Sequence, residues 1–359
     1  MHGVSANGRY YEGYLEFKAE MLRIDPTITL APVSNDPASN YGNWGAKIIS
    51  NVWGAGEPGR YQGAGFYDVH GYPYDNLPAT VEAVLRRPQT YWPGMMANIR
   101  ADFAALAPGA PLPDVGVTEY NIISDHERDS QQLMTHGVNL LFMADSLGAM
   151  MQAGFKIGAG WAMANGRANS GSEYGLLWID QGYKRAPQYF AFRLWSLFGN
   201  TILPTANNWR ADTQLSAYGG RAADGTVTLL VINKQASATN STIHLNGSPI
   251  YAVVAHEARC TTLLTQDTLF NGVPEANLDD ALSAPPRVVP MAAFADGLRL
   301  HYEFPPYSAT MLLLTTSTAA TSSTTTTAAV PTTTRPATES TTSPSTSTST
   351  SAPCTCTCP

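Results

Sequence analysis

Charge is scarce in this chain. Asp, Glu, Lys and Arg make up only 14% of its 359 residues, and the formal net charge is −7. No basic stripe interleaves with aromatics, so the electrostatic footprint of a nucleic-acid partner is missing. Long apolar runs are missing too. None approaches the ~18–20 residues a membrane helix needs, so no membrane span is expected. The opening "MHGVSANGRYYEGY" has no basic region followed by an apolar segment, and does not read as a signal peptide. Cysteine is nearly absent from the body of the chain. Cys260 stands alone there and reads as a small buried hydrophobe. Cys354, Cys356 and Cys358 sit in "CTCTCP" at the end. Their C-x-C spacing suits a soft metal, but no His or second cluster supports it, and no metal site is assigned.

Apolar and aromatic residues are plentiful. Hydrophobic content is 44%, with 17 Tyr and 7 Trp. Such content supports a sizeable core. In a weakly charged protein it also suits a surface that stacks on sugar rings, although core packing accounts for most aromatics.

The sharpest boundary falls near Thr315. From there to Pro359 the chain is almost entirely Thr, Ser, Ala and Pro, with Arg335 and Glu339 its only charges. Such a segment buries too little apolar surface to offset its ordering entropy, so residues 315–359 read as a disordered tail. The composition also fits an O-glycosylated stalk, hence an extracellular or cell-surface protein. Asn240-Ser241-Thr242 and Asn246-Gly247-Ser248 are N-glycosylation sequons, a pattern frequent by chance.

Residues 1–199 alternate helical and strand patterns. The apolar spacing predicts a helix over 8–24 and a strand over 27–33, "TITLAPV". A second strand is expected in 63–74, followed by helices at 77–86 and 93–106, the latter opened by Pro93. "VGVTEYN" is the third strand. A long helix follows and stops at Gly154. "FKIGAGWAMANG" (155–166) is the fourth strand, and 186–199 the helix after it. Strand and helix in alternation imply α/β architecture with a parallel sheet. Over 200–314 the pattern changes to short alternating runs separated by Gly, Asn and Pro turns, as in an antiparallel β-sandwich.

In parallel βα folds the C-terminal ends of strands gather the chemistry. Those ends are Ser34, Asn35 and Asp36; then His70, Tyr72 and Tyr74; then Glu119, Tyr120 and Asn121; and last Trp161 and Asn165, with Glu173 further along. The set holds no Ser-His-Asp order, no phosphate-cradling Gly loop and no His/Cys metal cluster. Carboxylate, amide and aromatic groups together suit sugar chemistry.

"GVTEYN" at one strand end, "DVHGYPY" one strand earlier, "GAGWAMANG" one strand later and a sandwich ending "FPPYSATMLLL" resemble the retaining glycoside hydrolases of clan A, most of all the α-L-arabinofuranosidases of glycoside hydrolase family 51. The resemblance covers roughly residues 8–314. It implies that Glu119 is the catalytic nucleophile, that His70 and Tyr72 line the sugar site and orient it, and that Trp161 forms part of a sugar platform. Asn121 joins the expected substrate-binding set. The resemblance implies a polysaccharide or oligosaccharide substrate and no cofactor. It also implies an acid/base Glu in a Gly-Asn-Glu motif, yet no Asn-Glu dipeptide occurs in the chain. That motif is expected upstream of Met1. The chain then carries the C-terminal half of a (β/α)8 TIM barrel, strands 5–8, before the sandwich.

The same residues admit plainer readings. Glu119 also suits a structural ion pair inside a barrel. Trp161 suits packing, and Asp68 a hydrogen-bonded barrel carboxylate. Glu173 is expected in a loop over the site, with its role open. The whole chain also fits a non-catalytic carbohydrate-binding remnant, another clan A activity such as an endoglucanase or xylosidase, or an extracellular structural glycoprotein.

Overall fold

The computed structural model describes residues 10–34, 43–54, 65–76, 80–246, 248–290, 294–295 and 299–316. The described residues all fall within one compact unit. Of the expected tail, only Thr315 and Thr316 belong to the described residues.

Helix α1 (Tyr10–Ile24) leads into irregular chain. Helix α2 (Trp44–Ile48) continues as one π-helical stretch, Ile49–Trp53. Then come β1 (Phe66–Gly71), α3 (Val81–Arg86), α4 (Pro88–Leu106), β2 (Asp114–Tyr120), α5 (Gly137–Ala153) and β3 (Ile157–Gly160). The three strands pair in parallel in the order β1-β2-β3. Val69, Val115 and Val117 of this sheet are buried with Trp92, Ile99 and Phe103 of α4. α5 ends where the periodicity predicts, because Gly154 takes φ 102°, a left-handed value that a side chain disfavours.

Three expectations are corrected here. "TITLAPV" is not a strand. It is irregular chain tied alongside the sheet by the Gly65 N–H, which donates to Leu30 O at 2.7 Å. Pro26 and Pro32 remove ladder donors at both ends of that segment. The helix expected from Pro93 starts at Pro88, with Pro93 inside it. An interior proline forfeits one intrahelical bond, and the burial of Trp92, Met95, Met96 and Ile99 holds the helix through it. The fourth strand is regular only over Ile157–Gly160. The chain then leaves the sheet at Trp161, whose peptide bond to Ala162 is cis.

After β3 a small sheet forms from β4 (Ala164–Asn165), β5 (Leu177–Trp178) and β6 (Lys184–Arg185). Helix α6 is shorter than expected, Tyr189–Trp195. The strands that follow are β7 (Thr201–Leu203), β8 (Leu215–Arg221), β9 (Val227–Asn233), β10 (Thr239–His244), β11 (Ala252–Cys260), β12 (Thr268–Phe270), β13 (Val273–Pro274), β14 (Arg287–Val288), β15 (Phe294–Ala295), β16 (Arg299–Phe304) and β17 (Ser308–Thr315). They form an antiparallel eight-stranded sheet, β13-β12-β11-β17-β9-β8-β7 with β14 beside β11, and a smaller sheet, β10-β16-β15.

The large sheet has a core on each face. Tyr218, Leu230, Ile232, Ala258 and Met311 join the core built on α5 and α6. Val231, Val253, Leu312 and Leu314 face Leu300, Tyr302 and Phe304 of the small sheet. The first contact is close. A Cβ on Gly148 of α5 would lie 2.2 Å from the Tyr218 ring, so that position requires glycine unless the helix and strand move apart. No helix among the described residues is long and apolar enough to cross a membrane.

Candidate active site

Glu119 stands at the end of the central parallel strand, and a bulge sets its position. Val69 pairs with Val117, but the next residue, His70, pairs with Glu119, so Thr118 is extra against β1. β3 shows the same offset, since Gly158 pairs with Val117 and Gly160 with Tyr120. One added residue on β2 bends the strand and re-aims its side chains, as bulges next to active sites do.

The bulge separates two carboxyl environments. Thr118 donates its hydroxyl to Asp68 Oδ1. Asp68 is buried, and burial raises its carboxyl above the usual range. The Thr118 hydrogen bond and the nearby His70 oppose that shift, and the Glu119 charge adds to it. Glu119, by contrast, is partly open, with 27% of its side chain exposed. Tyr72 donates to Glu119 Oε2 at 3.0 Å, and His70 Nδ1 lies 3.3 Å from the same oxygen. Among the described residues no hydrogen bond reaches Oε1. Burial, then the Glu119 charge and hydrogen bond, raise the Tyr72 phenol, which stays a protonated donor.

Trp161 lies at the neighbouring strand end. Its backbone N–H donates to Tyr120 O at 3.0 Å, and the residue is 41% exposed. Glu119, His70, Tyr72 and Trp161 are therefore assembled at one end of the sheet. Asn121, expected among the sugar-contacting residues, lies beneath it. It is fully buried, donates to Trp161 O at 2.7 Å, and accepts from the Ile122 N–H and the Asn139 amide. Its amide holds the Trp161 turn instead of facing the cleft. Of the other strand ends, Tyr74 donates to Ala83 O, and Asn35 and Asp36 lie outside the described residues.

Tyr174 is a neighbour of the site that sequence reasoning missed. Its hydroxyl donates to Ser124 O at 2.7 Å, accepts from the His126 N–H, and its ring stacks on His126 at 4.5 Å. It pins the loop after β2 to the loop before β5. Burial raises its phenol, and the Glu119 charge contributes to that shift. Its sequence signal was the adjacent Glu173 in "SGSEYG", which drew attention to the wrong residue of the pair. Glu173 is fully buried. Burial pushes its carboxyl up to about 7, the Asp180 charge adds to the shift, and Arg167 and the Asn165 N–H oppose it. Asn165 belongs to β4, and Arg167 and Asp180 lie just after β4 and β5. Among the described residues, no group of three or more His, Cys, Asp or Glu is placed to hold a metal ion.

A partly exposed carboxylate held through one oxygen, with an exposed tryptophan at the neighbouring strand end, is suited to attack on a sugar carbon. Comparisons with solved structures give the fold that carries this geometry. The chain is similar to CelM2, a bifunctional glucanase-xylanase from a metagenome library, at 17% identity and TM-score 0.57, covering 86% of this chain and 59% of that one. It is similar to an α-L-arabinofuranosidase from Thermotoga maritima at 13% identity and TM-score 0.58, covering 85% and 61%. It is similar to a family 44 xyloglucanase from Paenibacillus polymyxa at 15% identity and TM-score 0.59, covering 86% and 60%. The fold is thus that of glycoside hydrolases of families 44 and 51. The chain spans about three fifths of the length of these structures. No family model and no curated protein matches.

Proposed function

We propose that the chain is part of a retaining glycoside hydrolase acting on polysaccharide, of the α-L-arabinofuranosidase type, with Glu119 as nucleophile. The observation that supports this most is the clamping of Glu119 Oε2 by Tyr72 and His70, with no hydrogen bond to Oε1 among the described residues, and exposed Trp161 at the neighbouring strand end. Glu119 attacks the anomeric carbon and forms a glycosyl-enzyme ester, as the leaving oxygen takes a proton from a second carboxyl. Water then attacks the ester, and the second carboxylate accepts its proton. The two carboxyls must stand about 5–5.5 Å apart. Asp68 does not suit the second role, because it is buried and engaged by Thr118. That acid/base is assigned to a Gly-Asn-Glu segment outside these 359 residues, on the missing half of a (β/α)8 barrel. Trp161 supplies the platform for the C–H face of the sugar. The Ser/Thr-rich tail supports an extracellular placement, which glycan mapping of the native protein tests.

The test uses a longer protein, extended upstream to include the Gly-Asn-Glu segment. It is expected to cleave aryl α-L-arabinofuranosides, and Glu119→Gln to abolish turnover without unfolding it. An epoxide or fluorinated sugar should label Glu119 and no other carboxylate. Substantial turnover by folded Glu119→Gln overturns the assignment. Binding of sugar without turnover by the longer protein favours the carbohydrate-binding reading. Cleavage of aryl xylosides or glucan in place of arabinofuranosides keeps the mechanism and changes the sugar.

A further inference from the structure

A polar cavity lies in the sandwich, and neither Glu119, His70, Tyr72 nor Trp161 lines it. On β11 the residues Val253, Ala255, Glu257 and Arg259 share one face, because alternate residues point the same way. Val253 and Ala255 are covered by the core under the small sheet. Glu257 and Arg259 continue that face as charged residues beside a cavity of about 300 Å³. Arg287, Asn271 and Tyr302 complete its polar lining.

The groups there are only partly matched to one another. Arg259 Nε lies 3.2 Å from Glu257 Oε1 but makes no aligned hydrogen bond. The Arg287 guanidinium carbon rests 4.7 Å from the centroid of the Tyr302 ring. Tyr302 is 3% exposed, and the Arg287 guanidinium is the hydrogen-bonding neighbour of its hydroxyl, without a well-aligned bond between them. A buried hydroxyl whose hydrogen bond is poorly aligned costs free energy that a better-placed ligand oxygen recovers. The Asn271 amide is already engaged, donating to Ala284 O and accepting from the Glu257 N–H. Two guanidiniums against one carboxyl leave the cavity net positive. Burial also raises the Glu257 carboxyl, against the pull of Arg259 and Arg287.

We propose that this cavity binds a sugar acid of monosaccharide size, a hexuronate, through its carboxylate and hydroxyls. Guanidinium forks match a carboxylate in bidentate geometry. Glu257 accepts from a sugar hydroxyl, and the Tyr302 hydroxyl hydrogen-bonds the same ligand. The volume lies at the small end of ligand pockets, which fits one ring and not an extended chain. The site is separate from Glu119 and does not depend on the role assigned to it.

The test is calorimetric or NMR titration of the full chain with glucuronate, glucose and acetate. Glucuronate is expected to bind, with glucose and acetate each weaker by at least about tenfold, since either the ion pair or the hydroxyl contacts are lost. Arg287→Ala should weaken glucuronate by about tenfold or more, because a charge-assisted pair is removed. Arg287 is exposed on a two-residue strand, so the melting temperature should hold. Should that variant fail to fold, Tyr302→Phe removes only the hydroxyl and should weaken binding several-fold. Acetate binding as tightly as glucuronate, glucose binding as tightly, no glucuronate binding, or unchanged affinity in folded variants each overturns the proposal.

Discussion

Lys234 Nζ lies 2.6 Å from Asp145 Oδ2, and both side chains are shut off from water. The pair joins α5 to the end of β9, across the junction of the helical layer and the large sheet. Asp145 also accepts from Gln89, Ser216 and Tyr218. A buried carboxylate surrounded in this way is tolerated only while its cation stays. Lys234→Met should therefore lower stability by about 3–5 kcal/mol. Lys234→Met with Asp145→Leu should lose less than the sum of the two single changes. Urea denaturation checks both. A loss under about 1 kcal/mol for the single change would show that the pair behaves like a surface bridge.

Tyr72 donates to Glu119 Oε2 at 3.0 Å, and its phenol stays protonated. In an active, extended protein, Tyr72→Phe should reduce kcat by about 10–100-fold, the range for losing one hydrogen bond to a charged group. Fold and melting temperature should change little. A kcat within twofold of the parent would remove Tyr72 from the positioning of Glu119.

Glu173 makes stability depend on pH. Its folded carboxyl sits up at about 7, above the ordinary value of 4.5. The folded state therefore binds the proton more tightly than the unfolded state. Stability falls as pH rises through the window from about 4.5 to 7. Glu173→Gln keeps the shape and removes the charge, so its melting temperature should fall less than the parent's between pH 5 and pH 7.5. Parallel melting curves for the two proteins would show that Glu173 is not perturbed.

Cys260 is buried, and burial pushes its thiol up to about 12. A thiol so rarely ionised is a poor nucleophile. Peptide mapping after iodoacetamide treatment should find Cys260 unmodified in native protein and alkylated after denaturation. Rapid native alkylation would show that the end of β11 separates from β12.

The sequence made the central features legible where local chemistry decides them. "VGVTEYN" marks a strand because Val115 and Val117 supply apolar faces before the polar end, and β2 is found there. Gly154 marks the end of α5 because few other residues tolerate its φ. What was not legible depends on distant partners. The bulge at Thr118 exists only in register with β1 and β3. Asn121 is engaged by Trp161 and Asn139, 40 and 18 residues away, so its polar character looked available when it was not. Tyr174 reaches the site through the loop it pins, and no spacing rule encodes that. "TITLAPV" has strand composition, but Pro26 before it and Pro32 within it remove ladder donors that a strand there would need.

The large sheet buries both its faces, one on α5 and α6 and one on the small sheet. It has no dry-to-wet side, so the sandwich is not an appendage that can be cut away. A protease that severed the chain between α6 and β8 would not liberate two soluble halves. Each half would keep an uncovered apolar wall. The β-rich half is thus a lining of the half that carries Glu119, and swapping it for an unrelated module would mean redesigning α5.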